Sequence, residues 1–500
     1  MTDGVYVGLD LGTSGLKGVA ITAANGVVAR ASASYQTRRP APGAAEQEPA
    51  PWLEAVRQVV GRLRLAVPEG WAGLALSAMI PTLVTVDGRG QPTGPAVTWE
   101  DSRAQRQGDH LRDGIGADRL YGLTGQWVDG RYLLPMYMRL VEEEAARVGD
   151  ARWLLGAKDY LLHWLTEQWL TDPSTASGFG CYGLETRDWV PELIEAACAL
   201  GEFALPALPA VVLSTQAWPL AADAASILGL PSGLPVCVGG ADSVLGALGL
   251  GLREAGDVAY ISGTSTVILA MSDRLSFDGQ HRYLVTPLAV DEAWGFEMDL
   301  LATGSGVRWL ARLLGLGDDG DLSVLSMAAE AEDADVPSFL PYLAPGEQGA
   351  LWDPTLRGTL IGLHLGHDRR HLARAFVNGL LLESRRCLSV LDEAKLPFRP
   401  VRLAGGAVDD LLAAELADAS GRTVYAPAEG AADYSALGAA MLAASALGGV
   451  SLERQQPATV HEPRPRRAAM WEELWRRHEE ALEAVRPLYH LRSPERTRLL

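Results

Sequence analysis

Cysteine is scarce in this 500-residue chain, with four residues, Cys181, Cys198, Cys237 and Cys387, lying far apart. None forms a CxxC pair or a dense, even framework, which argues against a disulfide scaffold and suits buried thiols in a reducing cytosol. No run of about 18 apolar residues occurs, so no membrane-spanning helix is expected. The opening Met1-Thr2-Asp3-Gly4 carries an acid where a signal peptide would carry a basic region, and the expected compartment is the cytoplasm. Positive charge is also in deficit: 43 Lys and Arg face 62 Asp and Glu, a net charge of −19. That balance opposes polyanions, so neither nucleic acid nor an anionic membrane is expected as a partner. A GxxxxGK[ST] loop is missing, and Gly239-Gly240 and Gly405-Gly406 lack the spacing of a dinucleotide fingerprint. His110, His163, His364, His367 and His371 show no zinc spacing with Cys or Glu partners, so none is expected to hold a metal.

What is present is a folded composition, 48% hydrophobic and 21% charged. Single cores stop growing at roughly 250–300 residues, so two large domains with a ligand cleft between them are expected. Val5-Tyr6-Val7-Gly8-Leu9 reads as a strand and Asp10-Leu11-Gly12-Thr13-Ser14-Gly15 as a polar tip. Residues 16–21 then resume the strand pattern, and Asn25-Gly26 turns the chain into a third strand over 27–35. The unit returns at Asp257-Val258-Ala259-Tyr260-Ile261, Gly263-Thr264-Ser265 and 266–271. Such a repeat implies duplicated α/β domains, each opened by a β-meander and covered by helices, with a boundary near 240–255. The expected division is 1–245, 246–447, and 448–500 as a connection and a final helix. Helical periodicity marks 52–65, 131–147, 304–314, 371–391, 411–419, 434–446 and 468–485, and strands are expected at 401–403 and 423–425. Two Gly-Thr-Ser tips facing each other across a cleft would offer backbone N–H groups and hydroxyls to a nucleotide triphosphate.

A series of segments in a fixed order adds to this reading. It starts with residues 8–17 and Glu46-Gln47-Glu48-Pro49 followed by Trp52, then Trp99-Glu100-Asp101-Ser102-Arg103. Lys158-Asp159-Tyr160-Leu161 and Thr171-Asp172-Pro173-Ser174-Thr175-Ala176-Ser177 come next. Gly239-Gly240-Ala241-Asp242-Ser243, Gly263-Thr264-Ser265, Phe339-Leu340-Pro341-Tyr342-Leu343 and Ala404-Gly405-Gly406-Ala407 complete it. Over nearly the whole chain this resembles the FGGY carbohydrate kinases, closest to their xylulokinase branch, within the actin-like ATPase superfamily. The resemblance implies two actin-like (ribonuclease H-like) domains and Mg²⁺- and ATP-dependent phosphorylation of a hydroxyl on a small sugar or polyol. Members of the family often form dimers, so a homodimer is admitted.

By the same resemblance Asp242 is the general base, and Asp10, with Asp242, organises Mg²⁺. On the residues alone, Asp242 also suits a helix N-cap and Asp10 a turn aspartate bonded to its own backbone. Thr13, Ser14, Lys17, Gly263, Thr264, Gly304, Gly405, Gly406 and Ala407 are implied nucleotide contacts. Arg308 stands where related glycerol kinases hold a glutamine. The acceptor end departs from the branch: its Met-His pair is here Met79-Ile80, followed by Pro81. Loss of the histidine replaces a polar contact by an apolar one, so D-xylulose is not implied over other pentuloses, hexuloses, polyols or glycerol. Met79, Ile80, Pro81, Glu100, Asp101 and Trp127, with Asp242, are the expected acceptor contacts. A reading of another class, an actin-like nucleotide-dependent switch with no small-molecule transfer, would not need Asp242.

Overall fold

The computed structural model describes residues 4–289, 293–316, 321–331, 335–344, 349–353, 355–405, 410–426, 433–450 and 458–490. The expected fold is present: two mixed sheets, each opened by antiparallel strands that flank a Gly-Thr-Ser tip. The first has six strands in the order Ala217–Pro219, Pro235–Ala241, Trp71–Ala78, Val5–Leu11, Gly15–Thr22 and Gly26–Ser34. Pro235–Ala241, Trp71–Ala78 and Val5–Leu11 run parallel, so their carboxyl ends emerge together. The second has seven strands in the order Leu284–Pro287, Trp294–Leu300, Thr266–Ser272, Val258–Ser262, Val401–Gly405, Val424–Ala426 and Thr459–His461. There Val258–Ser262 and Val401–Gly405 are parallel and also end side by side. Ligands in open α/β sheets bind outside such carboxyl ends.

Val5–Leu11 is buried along its whole length because helices cover both of its faces. On one face Val7, Leu9 and Leu11 pack with Trp52, Val56, Val59 and Leu63 of the Pro49–Ala66 helix. On the other, Tyr6 meets the alanine-rich Tyr434–Gly448 helix. That helix approaches closely enough that a Cβ on Gly8 would stand 1.9 Å from the Ala436 carbonyl oxygen. A segment late in the sequence thus completes the first sheet. The second sheet rests on the 25-residue Arg369–Glu393 helix, whose Phe376, Leu381 and Leu388 share a core with Phe296 and Met298.

The helix expected over 131–147 is two helices, Leu133–Glu143 and Ala145–Val148. Its start is delayed because the Asp129 side chain accepts the Arg131 N–H at 2.9 Å, holding Arg131 in a turn outside the helix. The terminal amphipathic segment is longer than expected, Pro465–His490. No helix among the described residues is long and apolar enough to cross a membrane.

Candidate active site

Asp242 follows the Pro235–Ala241 strand directly, and local chemistry fixes its place. Gly239 has φ +76°, and a Cβ there would fall 1.7 Å from the Leu76 carbonyl oxygen, so only glycine fits the bulge in this strand. The Ala241 N–H then donates to Ser174 Oγ at 2.9 Å. Ser174 in turn donates to Asp172, whose carboxylate lies 3.2 Å from the ammonium of Lys158, and Lys158 also meets Asp159 at 3.1 Å. All these side chains are buried. The Lys158-Asp159 and Thr171–Ser177 segments therefore form a buried ionic prop behind the backbone that carries Asp242. Asp242 itself is the first residue of the Asp242–Gly249 helix, with Ala241 at the N-cap. Its Oδ1 accepts the Ser243 N–H at 2.9 Å, and the helix has no side-chain cap, so the N-cap alternative does not describe it.

Asp10, on the Val5–Leu11 strand beside its carboxyl end, accepts Ser77 Oγ–H at 2.8 Å across the parallel pair. Burial raises the Asp10 carboxyl above its ordinary range, opposed by the Ser77 bond and Lys17. Burial also raises Asp242 well above its ordinary range, and the neighbouring charge of Asp10 adds to the shift, followed by Glu297 and Asp299. Two buried carboxyl groups, one of them destabilised by the charge of the other, form an oxygen-only donor set, and a hard divalent cation would relieve them; the pair fits Mg²⁺.

Asp242 lies in the wall of a cavity of about 260 Å³ between the two halves. Thr13 and Gly263, Thr264 and Ser265 line one part; Ile80, Pro81, Trp99, Gln126, Arg131, Tyr132, Ser177, Thr286, Glu297 and Asp299 line the rest. Both Gly-Thr-Ser tips are tightly built. The Gly263 N–H donates to the Ser265 carbonyl at 2.7 Å, and Gly12 N–H to the Gly15 carbonyl at 3.0 Å. Gly304 opens the Gly304–Leu313 helix so close to the second tip that a Cβ would stand 2.1 Å from the Gly263 oxygen. Arg308 on that helix donates to Thr264 Oγ1 at 3.4 Å, and so positions the tip. Gly405 has φ +124°, with no room for a Cβ beside Ser262; Gly406 and Ala407 lie outside the described residues.

Several expected contacts stand elsewhere. Met79 is in the core at 1% exposure. Asp101 is buried and saturated, accepting the Ala45 N–H at 2.9 Å and the Arg103 guanidinium, so it shapes a loop and not the cavity. Glu100 pairs with Arg39 at 2.9 Å, and Trp127 packs on Trp352, His281 and Arg112; neither lines the cavity. Ser14 is exposed, and Lys17 reaches Asp433 at 3.4 Å. In their place stand Trp99, which donates from Nε1 to Thr13 Oγ1 at 3.1 Å, and Gln126, Arg131, Glu297 and Asp299. The last two were legible: in Trp294–Leu300, Phe296, Met298 and Leu300 enter the core, so Glu297 and Asp299 face the cleft by strand alternation. No sequence signal marked Gln126.

His364 and His367 gather with Asp335, their ligand atoms within 4.8 Å of one another. Each imidazole accepts a backbone N–H at Nδ1, His364 from Gly366 at 3.0 Å and His367 from His364 at 3.2 Å. In the neutral tautomer the proton is then on Nε2, which bonds Asp335 at 3.0 Å in His364 and stands 3.5 Å from it in His367.

The family model for the FGGY family of carbohydrate kinases, N-terminal domain, matches residues 5–249, and that for its C-terminal domain matches 258–447. The chain belongs to the FGGY carbohydrate kinases. A xylulose kinase of Klebsiella pneumoniae is 30% identical over 83% of this chain and 85% of its own. A gluconokinase of Bacillus subtilis is 26% identical over 75% of this chain and 74% of its own. The crystal structure of xylulose kinase from Rhodospirillum rubrum superposes with a TM-score of 0.86 at 28% identity, covering 97% of this chain and all of that one. As a member of this family the chain is a carbohydrate kinase that uses ATP, with the two-domain fold of its relatives.

Proposed function

We propose that this FGGY kinase transfers the γ-phosphoryl group of ATP to a hydroxyl of a small ketose, xylulose-like, or of a polyol, with Asp242 as general base. What carries this reading is the placement of Asp242: beside Asp10, in the wall of a cavity that also contains Thr13 and the Gly263–Ser265 tip. An attacking hydroxyl is a poor nucleophile, and its proton must leave as the phosphoryl group arrives. Asp242 accepts that proton at a carboxylate oxygen. Burial keeps its basicity above that of an ordinary aspartate, so the proton is held once taken. Asp10 and Asp242 would hold Mg²⁺, which when bound neutralises charge on the transferred phosphoryl group. Thr13, Gly263, Thr264 and Gly304 cradle the phosphates through backbone N–H groups and hydroxyls, while Lys17 stays within electrostatic reach of Asp10.

The cavity is slightly below the roughly 300–1,000 Å³ of drug-sized sites, which suits an acceptor of few carbons. Ile80, Pro81 and Trp99 offer it apolar faces, and Gln126, Arg131 and Asp299 offer polar ones. Four cysteines free of disulfides suit a cytoplasmic enzyme. The test is ADP release from Mg-ATP across pentuloses, hexuloses, aldoses, polyols and sugar acids. One acceptor should raise the rate sharply and EDTA should abolish it; a flat panel with nucleotide bound would overturn the reading.

A further inference from the structure

The acceptor wall of the cavity carries an unusual charge arrangement. Glu297 and Asp299 project from one strand at alternate positions and face the cavity together. Glu297 accepts Thr286 Oγ1–H at 2.8 Å from the adjacent strand. Each carboxyl is raised by burial, and Asp299 is pushed to about 8 with the Glu297 charge as the next cause. Arg131 is the guanidinium in this wall, and its charge is already engaged. Its Nε lies 3.1–3.2 Å from the two Asp129 oxygens, its Nη2 bonds the same carboxylate, and Asp299 adds a further negative neighbour. The described lining residues and this partner thus bring four carboxyl groups, Asp129, Asp242, Glu297 and Asp299, and one guanidinium to the cavity, and that guanidinium is bonded to Asp129.

Resting on the kinase reading above, we infer that Glu297 and Asp299 select a neutral, polyhydroxylated acceptor and exclude sugar acids. A carboxylate entering this wall would meet the carboxyl groups of Asp242, Glu297 and Asp299, while among the described lining residues the guanidinium, Arg131, is already paired with Asp129; whatever negative charge the three carboxyls carry opposes it more strongly in a water-poor site than in bulk water. A hydroxyl fares differently. An ionised carboxyl of the pair accepts a hydrogen bond from it, and a protonated one donates to its oxygen, so the pair can satisfy a hydroxyl in either role. Sites built around such groups discriminate strongly for the matching hydroxyl. Arg131 is held by Asp129 and is not offered to a substrate anion. This sets the chain apart in specificity from a relative named for gluconate.

The test compares the best neutral acceptor from the panel with the aldonate of the same carbon number, in wild type, Asp299→Asn and the double variant Glu297→Gln/Asp299→Asn. Expected for wild type is a kcat/KM at least about 100-fold higher on the neutral acceptor, a floor well below the roughly 10⁴–10⁵-fold reached by sites whose buried polar groups are left unpaired. In the variants the KM for the neutral acceptor rises about tenfold or more, the KM for ATP holds, and the preference over aldonate shrinks. Equal or better wild-type use of the aldonate overturns the inference and leaves the kinase intact, as does an unchanged preference in the variants. If the double variant does not fold, Asp299→Asn and the wild-type ratio decide. No transfer to any acceptor, with Mg-ATP bound, would instead sink the kinase reading and this inference with it.

Discussion

At the scale of single residues, the site concentrates acidity. Asp10, Asp242, Glu297 and Asp299 are all raised by burial; the charges of Asp10, Glu297 and Asp299 raise Asp242 further, and that of Glu297 raises Asp299 further. For Asp299 the ordinary value is 3.8 and the folded one about 8, so between these the native state keeps a proton that the unfolded state releases. Stability from this group is complete below about pH 4 and is lost as pH climbs through about 8. Ligand-free protein should therefore melt lower at pH 8.5 than at pH 6, and Asp299→Asn should flatten that slope by about 2 °C or more in scanning calorimetry. An identical slope in the variant would remove Asp299 from the account. Activity runs the other way, since Asp242 must be ionised to take a proton. The acid limb of kcat/KM should lie well above the ordinary aspartate range and should show one proton lost on the way to full rate.

At the scale of elements, close backbone approach and a buried ionic prop hold the site. Ser174 links the Lys158, Asp159 and Asp172 cluster to the Ala241 N–H, immediately before the base. Ser174→Ala leaves that buried N–H without its acceptor, at a cost of about 1–3 kcal/mol. It should also lower kcat about tenfold or more through misplacement of Asp242, while the Kd for ATP holds. A kcat equal to wild type would show that the prop is structural alone. Gly8 faces the Ala436 carbonyl with no room for a methyl, so Gly8→Ala should cost about 1–3 kcal/mol by overpacking, read as a lower midpoint in urea. These elements were largely legible in the sequence. The two meanders, the Gly-Thr-Ser tips and most helices stand within a few residues of their expected bounds, because each has a strong period and a turn signal. The 131–147 segment was not, since a side-chain bond from Asp129 to its own neighbourhood overrides the apolar period.

At the scale of the whole molecule, chain order and spatial order part company. The Tyr434–Gly448 helix lies late in the sequence yet packs on the first sheet and on the Asp242–Gly249 helix, so the base is held from both ends of the chain. The halves are also tied at the acceptor end. Tyr121 donates to the Tyr283 carbonyl at 2.7 Å, and Gln126 Nε2 donates to that of Val285 at 2.9 Å. Such pairings join residues more than 150 apart and leave no local pattern, which is why Gln126 was invisible in the sequence while Trp127 beside it drew attention. The repeated tips and the ordered motifs pointed to Asp242, Asp10, Thr13 and Thr264, and Asp242, Thr13 and Thr264 line one cavity. Glu100 and Asp101 were misplaced because partners from distant segments, Arg39 and Ala45, engage them. The fold brings the Asp242 carboxylate, Thr13 and the Gly263–Ser265 tip to one cavity, where the proposed reading places acceptor and triphosphate together. The most direct measurement is therefore single-turnover phosphoryl transfer from Mg-ATP to the best panel acceptor in wild type and Asp242→Asn, with nucleotide affinity measured in parallel. A loss of about 10²–10⁴-fold in transfer rate with an unchanged Kd for ATP is expected of a lost general base. Transfer at the wild-type rate by Asp242→Asn would contradict the account.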